Sequence, residues 1–178
     1  MTDFQRPDAA VAIVHARAEN SVLLIRRTER ANDPWSGHWS LPGGRCEAGD
    51  VDALDTALRE LHEECGVRLS REQVTEALPL ANARRRTGPV LAVAPFVFEV
   101  DREMPVLLDA REAVEARWVP VRLLRDHSQH RMSAVPGMPA NMHFPTVPLA
   151  PVPLWGFTYR LLSDWLGGDT IGGSKEVR

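Results

Sequence analysis

The sequence predicts a single α/β domain, and three observations support this class. The chain has 178 residues and a hydrophobic share of 44%, which suits one domain with a sizeable buried core. Short aliphatic runs near the start of the chain are typical of strands, and a leucine repeat at helical spacing follows them. Because no linker, internal repeat or low-complexity tract divides the sequence, we expect residues 1–178 to form one domain.

The first predicted strands cover residues 9–16 and 21–27. Both are apolar runs, and the polar residues 17–20 between them indicate a turn. Residues 32–44 contain turn formers around an aromatic strand fragment and end in a predicted Pro-Gly-Gly loop.

A helix is predicted over residues 51–65. Its apolar side chains recur at helical spacing: Leu54, Leu58, Leu61 and Cys65. Asp50 or Asp52 can cap its start. Gly66 follows as a typical C-terminal cap.

The rest of the chain predicts shorter elements. These are a short helix over 70–77, strands over 90–100 and 115–119, and a short helix over 121–126. Pro95 inside the first of these strands predicts an edge or bulge position. Six prolines between residues 136 and 153 predict an irregular surface loop. A final apolar stripe beyond Leu154 predicts a helix that ends at Gly167 and Gly168.

The composition argues against several classes of partner. A net charge of −3, with both signs interspersed, argues against nucleic-acid binding. Cys46 and Cys65 match no zinc-site spacing, which predicts two unpaired thiols in a reducing cytoplasm. No apolar run resembles a signal peptide or reaches the ~18 residues of a membrane span, so we expect a cytoplasmic protein without a membrane partner.

The predicted helix carries a candidate metal site. Glu60, Glu63 and Glu64 stand three and four positions apart, so their carboxylates share one sector of the helix surface. Crowded carboxylates repel one another, and a hard divalent cation relieves the repulsion, which predicts a magnesium site on the solvent side of the helix. The alternative is an ordinary acidic helix face. The neighbouring Arg59 and the Gly-Gly loop favour the metal site, because they can hold a carboxylate and allow close backbone approach.

Residues 43–67, GGRCEAGDVDALDTALRELHEECGV, resemble the Nudix box. The second half of the box matches at every position: Arg59, Glu60, Leu61, Glu63, Glu64, Gly66 and Val67. In the first half, Asp50 stands in the place of the first Glu, and eight residues instead of seven separate it from Arg59.

The longer spacing resembles the coenzyme A diphosphatase branch of the Nudix hydrolase family. That branch reads Gly-Gly-x-x-Asp-x-x-Asp, five residues, then Thr-Ala-Leu-Arg-Glu, and this chain has Gly43, Gly44, Glu47, Asp50, Thr56, Ala57, Leu58, Arg59 and Glu60 at those positions. Other positions that fit the branch are Leu23, Leu24, Arg27, Gly37, Leu154, Trp155, Gly156, Thr158 and Arg160. Trp35, His38 and Leu41 depart from its leader motif, and the segment DPWSGHWSLPGG resembles a bacterial variant of it.

The resemblance implies a Nudix fold, in which a mixed β-sheet lies between helices as an α/β/α sandwich. It also implies hydrolysis of a pyrophosphate bond by water, with Mg²⁺ or Mn²⁺ as cofactor. Glu60, Glu63 and Glu64 would hold the metal, the carbonyl of Gly44 would be a further ligand, and Arg59 would orient the glutamates.

More than one residue is a candidate for the general base. Glu60 or Glu64 is the first candidate, and Glu115 outside the box is an alternative.

Substrate contacts are predicted at Arg27, Arg45 and Trp35. These two arginines, together with Arg26, contact substrate phosphates unless they are solvated or paired. Trp35 or Trp39 stacks on an adenine unless it anchors the core or a loop. The basic run at residues 84–86 either receives the extra phosphate of coenzyme A or is a solvated loop.

The leading hypothesis is hydrolysis of coenzyme A or acyl-coenzyme A to a phosphopantetheine and adenosine 3′,5′-bisphosphate. The first alternative is a Nudix hydrolase of ADP-ribose or another nucleotide. A non-catalytic nucleotide-binding module ranks below both, because all three glutamates in the second half of the box are present. We therefore expect a small-molecule nucleotide partner, and we allow for a homodimer.

Overall fold

A computed structural model describes residues 6–30, 36–83 and 89–168. Within these ranges, the elements are the strands β1 (Ala9–Ala16), β2 (Ser21–Arg27), β3 (Trp39–Ser40), β4 (Gly43–Arg45), β5 (Val74–Ala77), β6 (Ala81–Ala83), β7 (Leu91–Val100), β8 (Ala113–Pro120), β9 (Arg131–Ser133), β10 (Phe144–Val147) and β11 (Leu154–Trp155), and the helices α1 (Ala53–Cys65), α2 (Val121–Arg125) and α3 (Gly156–Trp165).

The described strands form two sheets. In the larger one β1 is central: it runs parallel to β7 and antiparallel to β2 and β4. β8 pairs with the outer side of β2, and β5 and β6 pair with the outer side of β7. A separate small sheet has the order β11-β10-β9. The larger sheet is therefore mixed, as expected.

β1 and β2 separate partway along their length. They pair directly at His15 with Val22 and at Ala16 with Ser21. Beyond these pairs, β4 takes the place beside β1 and β3 takes the place beside β2. This divergence places Gly43 and Gly44 at one end of the sheet. The sequence predicts them as a loop, but they belong to strand β4; the name Gly-Gly loop is kept for these two residues.

The larger sheet is covered on both faces. Helix α1 covers one face, where the buried residues include Ala57, Leu61 and Cys65 from the helix and Leu23, Ile25 and Phe98 from the strands. Helices α2 and α3 cover the other face, where the buried residues include Leu124, Leu161 and Leu162 from the helices and Ile13, Val22 and Leu24 from the strands. A fully buried leucine contributes about 1.5–3 kcal/mol, so these contacts hold the layers together. The α/β/α arrangement is confirmed.

The caps of α1 explain its bounds. The Asp52 side chain accepts a hydrogen bond from Asp55 N at 2.9 Å, so Asp52 is the N-cap. Gly66 has a φ of 66°, a left-handed conformation that glycine adopts without a Cβ clash, and its N–H donates to His62 O.

Two predicted elements differ in the structure. The helix expected over 70–77 is a single 3-10 turn at Arg71–Gln73, followed by strand β5. Ser70 resembles a helix cap, but pairing with β7 determines the conformation of the residues after the turn. The proline-rich segment 136–153 contains strand β10, which pairs with β9 and β11.

Pro95 is not on an edge strand, contrary to one of the two predicted positions. It lies within β7 opposite Val11 of β1. On the other side of β7 the partner changes from β6, which ends its pairing at Val93, to β5, which begins at Phe96. The proline therefore stands where the outer ladder is interrupted, and its missing N–H costs little there.

None of the helices in the described part of the chain is long and apolar enough to span a membrane.

Candidate active site

The Gly-Gly loop lies directly against the carboxylates of α1. A Cβ on Gly44 would stand 2.3 Å from Glu60 Oε1, so the Glu60 carboxylate occupies the space that a side chain would need. A Cβ on Gly43 would instead stand 2.3 Å from the backbone oxygen of Ala10. The two glycines thus allow two different close approaches, one to the sheet and one to the helix.

Glu64 is buried beneath this loop. Its side chain accepts a hydrogen bond from Gly43 N at 2.9 Å, and the residue is 4% exposed. Burial raises the pKa of Glu64 to about 8, and the negative charge of Glu60 acts in the same direction. The expectation that Glu64 lies on the solvent side of the helix is therefore wrong, because β4 covers this part of α1.

Glu60 and Glu63 share one partner. Arg59 Nη1 donates to Glu60 Oε1 at 2.9 Å and to Glu63 Oε2 at 3.0 Å. Burial raises the pKa of Glu60. The Glu63 side chain is 54% exposed, so it lies on the solvent side, as expected.

Asp50 holds Arg59 in place from the other side. Its carboxylate accepts hydrogen bonds from Arg59 Nε at 3.0 Å and Arg59 Nη2 at 3.1 Å, from Thr56 Oγ1 at 2.7 Å and from Glu47 N at 2.8 Å. The hydrogen bonds from Arg59 and Glu47 hold the pKa of Asp50 well below its usual range. Arg59 also donates to the carbonyl of Arg45 at 3.0 Å. The residue that departs from the usual box therefore orients the arginine through a two-pronged contact.

The donor set fits a divalent cation by its chemistry. In the described ranges, no three His, Cys, Asp or Glu side chains converge as a formed metal cluster. Even so, Glu60 and Glu64 flank the Gly43–Gly44 backbone, and carboxylate and carbonyl oxygens are the ligands that hard cations prefer. Glu64 is also a buried carboxyl with a raised pKa, which a nearby cation would keep ionised.

The predicted substrate contacts have different surroundings. Arg27 is half-buried at the end of β2, and its positive charge acts on the Glu64 carboxyl. Arg45 is exposed beside the Gly-Gly loop. Trp35 and the basic run 84–86 lie outside the described residues. Trp39 is a core residue at 2% exposure, so it leaves no open ring face for an adenine.

The structure also separates two glutamates outside the box. Glu115 lies on the sheet face opposite α1, where it binds Arg26 and Arg117. Glu112 lies on the α1 side, where its charge contributes to the raised pKa of Glu64. The sequence offers Glu115 as an alternative general base and does not single out Glu112, because Glu112 lies in the turn before β8 and approaches Glu64 only in the folded chain.

Comparisons with known proteins show the family and the fold. A family model of the NUDIX domain matches residues 6–137. Mitochondrial coenzyme A diphosphatase NUDT8 of Mus musculus is 31% identical over 159 residues, which cover 86% of this chain and 74% of the relative. An uncharacterized protein of Schizosaccharomyces pombe is 36% identical over 104 residues, which cover 56% of this chain and 32% of the relative. The chain thus spans only about a third of the length of that second relative.

Solved structures share the fold. The NUDIX domain of Shewanella oneidensis NrtR, complexed with ADP ribose, aligns with a TM-score of 0.61 at 18% identity and covers 91% of this chain and 87% of that one. A MutT/nudix family protein from Enterococcus faecalis aligns with a TM-score of 0.61 at 21% identity and covers 91% of this chain and 61% of that one. Since the family model covers more than half of the sequence and the expected fold is present, the chain belongs to the Nudix hydrolase family.

Proposed function

We propose that this protein hydrolyses the pyrophosphate bond of coenzyme A or acyl-coenzyme A in a reaction that depends on a divalent cation, Mg²⁺ or Mn²⁺. The observation that carries the choice of substrate is the similarity to the mouse coenzyme A diphosphatase over most of this chain. The geometry of Asp50 supports it, because the residue that marks the branch spacing also holds the arginine of the box.

The contacts of the site residues support the roles proposed for them. Glu60, Glu63 and Glu64 would hold the cation, together with the carbonyl of Gly44. When bound, the cation would offset the charge that develops on the phosphoryl oxygens during attack by water. Arg59 acts as a positioning residue, since it joins Asp50 to the Glu60 and Glu63 carboxylates.

Glu60 or Glu64 would act as the general base that accepts the proton of the attacking water. Both carboxyls lie beside the Gly-Gly loop, and burial raises the pKa of each, which favours a proton acceptor near neutral pH. Glu115 no longer competes for this role, because two arginines bind it on the opposite sheet face.

Substrate profiling tests the proposal. Purified protein with Mg²⁺ is incubated separately with coenzyme A, acetyl-coenzyme A, ADP-ribose, a dinucleoside polyphosphate and a nucleoside triphosphate. The expected result is a phosphopantetheine and adenosine 3′,5′-bisphosphate from the first two. Consumption of ADP-ribose or another nucleotide without turnover of coenzyme A would reject the substrate and keep the family activity. Nucleotide binding without turnover of any compound would identify a binding module.

The same assay addresses the cation. Activity should disappear with a chelator and return when Mg²⁺ or Mn²⁺ is added in excess, because the proposed ligands are all oxygens. Activity that survives complete chelation would contradict the proposed metal site.

A further inference from the structure

The sheet face opposite α1 carries a basic cluster on an aromatic base. Strand register creates it: Arg26 of β2 lies opposite Trp39 of β3 on one side and opposite Glu115 of β8 on the other. Arg117 is two residues beyond Glu115, so it projects from the same face of β8. Four side chains from three strands therefore meet at one place.

The contacts within this cluster leave an excess of positive charge. Arg26 Nε lies 3.1 Å from Glu115 Oε2, and an Arg117 Nη2 donates to the other oxygen of the same carboxylate. Two guanidinium groups thus share one carboxylate. Two positive charges face one negative charge, so the cluster has a net positive charge. Each arginine contacts the carboxylate through one nitrogen, which leaves further N–H donors on both guanidinium groups.

The guanidinium of Arg117 is held in place. Its Cζ lies 4.8 Å from the centroid of the Trp39 ring, and Trp39 is 2% exposed. A guanidinium held over a fixed indole ring loses little freedom when it binds an anion, and its forked donors match phosphate oxygens. The arginine side chains remain accessible, at 19% exposure for Arg26 and 36% for Arg117.

The cluster lies at the same end of the sheet as the Gly-Gly loop. β2 ends at Arg27, β3 begins opposite Arg26, and β8 begins opposite Arg27. Arg26 and Arg27 are consecutive, so they project to opposite faces of a sheet that ends there. A ligand whose pyrophosphate lies near Glu60 and Glu64 can therefore extend around the end of the sheet to the second face.

We propose that Arg26 and Arg117 bind a phosphomonoester group of the substrate, the 3′-phosphate on its adenosine. This assignment rests on the proposed function, because the 3′-phosphate is the one group that distinguishes coenzyme A from 3′-dephospho-coenzyme A, and ADP-ribose lacks it too. One ribose separates it from the pyrophosphate that is cleaved. Arg26 and Arg117 are thus specificity-determining residues, while cleavage belongs to the glutamates of α1.

Binding of product-like nucleotides tests the site without relying on turnover. Isothermal titration calorimetry with adenosine 3′,5′-bisphosphate, ADP and AMP is carried out on the wild type, Arg26→Gln, Arg117→Gln and Arg117→Lys. The wild type should bind the bisphosphate at least about tenfold more tightly than AMP, as expected for one or two charge-assisted hydrogen bonds. Both glutamine variants should lose most of this ratio, and Arg117→Lys should keep part of it, since lysine keeps the charge but not the fork.

Arg122→Gln is the matched control, because Arg122 is an exposed arginine on α2. It should leave the ratio unchanged. Three outcomes would overturn the proposal: no preference for the bisphosphate in the wild type, a preference that survives in both glutamine variants, or an equal arginine-dependent preference for ADP, which would place a 5′-phosphate there. Thermal unfolding of each variant checks that the fold persists, and Arg117→Lys keeps the test open if Arg117→Gln does not fold.

Turnover separates this proposal from the proposed function. The ratio of kcat/KM for coenzyme A to that for 3′-dephospho-coenzyme A should fall about tenfold in Arg117→Gln, in line with the loss of a charge-assisted hydrogen bond. If the wild type hydrolyses neither compound but binds the bisphosphate through Arg117, the proposed function fails and the phosphate site stands. If it hydrolyses both equally well, the function stands and the site fails.

Discussion

At the scale of single residues, Glu64 is both buried and proposed to bind a cation as a carboxylate, and burial disfavours the ionised form that metal binding needs. A carboxyl at 4% exposure is costly to keep ionised, and its hydrogen bond from Gly43 N offsets only part of that cost. A residue kept under such conditions is better explained by binding of a cation than by the stability of the metal-free fold.

Glu64→Gln should therefore separate activity from stability. Turnover should fall by at least about a hundredfold, the upper range for disrupting a metal site through its supporting residues. In the presence of a chelator, the melting temperature at neutral pH should stay the same or rise. The amide still accepts the hydrogen bond, and folding no longer has to protonate a carboxyl or bury its charge. Enzyme assays and thermal unfolding measure the two effects. A clear drop in the melting temperature would instead assign Glu64 a structural role.

Asp50 is predicted to stabilise the fold in a pH-dependent way. Its pKa is lowered in the folded protein, so its contribution is fully present above the unfolded value of about 3.9 and is lost only as the pH falls further, through the folded value. Asp50→Asn should reduce the free energy of unfolding by about 1–3 kcal/mol at pH 7, the range for charged hydrogen bonds. Urea unfolding from pH 7 to pH 3 should show this difference unchanged down to about pH 4 and shrinking below it.

Asp164→Asn serves as its control, because Asp164 is exposed near the end of α3. The control should change the free energy of unfolding by no more than about 0.5 kcal/mol at any of these pH values. A difference for Asp50→Asn that already shrinks between pH 7 and pH 5 would contradict the assignment.

At the scale of elements, Gly43 and Gly44 differ in what a side chain at each position would contact. Gly43 has a φ of 154° and lies against the backbone of β1, so a side chain there must push two strands apart. Gly44 lies against the end of a flexible glutamate, which can move aside. An alanine at position 43 should therefore disturb the sheet, whereas an alanine at position 44 should disturb the candidate site.

Gly44→Ala should abolish most of the activity and leave the fold intact, since it displaces the Glu60 carboxylate. Gly43→Ala should lower the free energy of unfolding by about 1–3 kcal/mol, the usual cost of backbone strain and overpacking. Activity assays and urea unfolding on both variants compare them directly. Equal losses of stability in the two variants would show that the loop geometry is described wrongly.

The elements also show how far the sequence leads. Helix α1 is predicted well, because its leucine spacing, Asp52 cap and Gly66 cap are all local signals. Strand β5 is missed, because Ser70 resembles a helix cap while the pairing with β7 is remote in sequence. Strand β10 is also missed, because the prolines in and around it favour an irregular loop.

The site shows the same limit. Arg59 and the three glutamates of α1 are predicted from their spacing together with the Gly-Gly loop and the resemblance to the Nudix box. The burial of Glu64 depends on the approach of Gly43 from β4, and the meeting of Arg26 with Arg117 depends on the register between β2 and β8. Neither relation is encoded in neighbouring residues, so both require the folded chain.

At the scale of the whole molecule, one sheet separates two apolar layers. Ile13 belongs to the layer beneath α3 and Ile25 to the layer beneath α1, and both are fully buried. Changes in one layer should hardly affect packing in the other, because the sheet backbone lies between them.

Ile13→Val and Ile25→Val should each lower the free energy of unfolding by about 0.5–1.5 kcal/mol, the usual cost of one buried methylene group. The double variant should show the sum of the two losses to within about 0.5 kcal/mol, as expected for sites that share no partners. Urea unfolding of the three variants measures the coupling. A larger coupling would mean that the two layers are not independent.

The divergence of β1 and β2 has a consequence for anyone who would rebuild this site in another protein. Where the two strands separate, β4 enters beside β1, and the N–H of its first residue, Gly43, donates to Glu64. Grafting helix α1 onto an uninterrupted sheet would supply the glutamates but not the Gly43 N–H that binds Glu64. The transferable unit is therefore helix α1 together with β4, inserted where β1 and β2 separate.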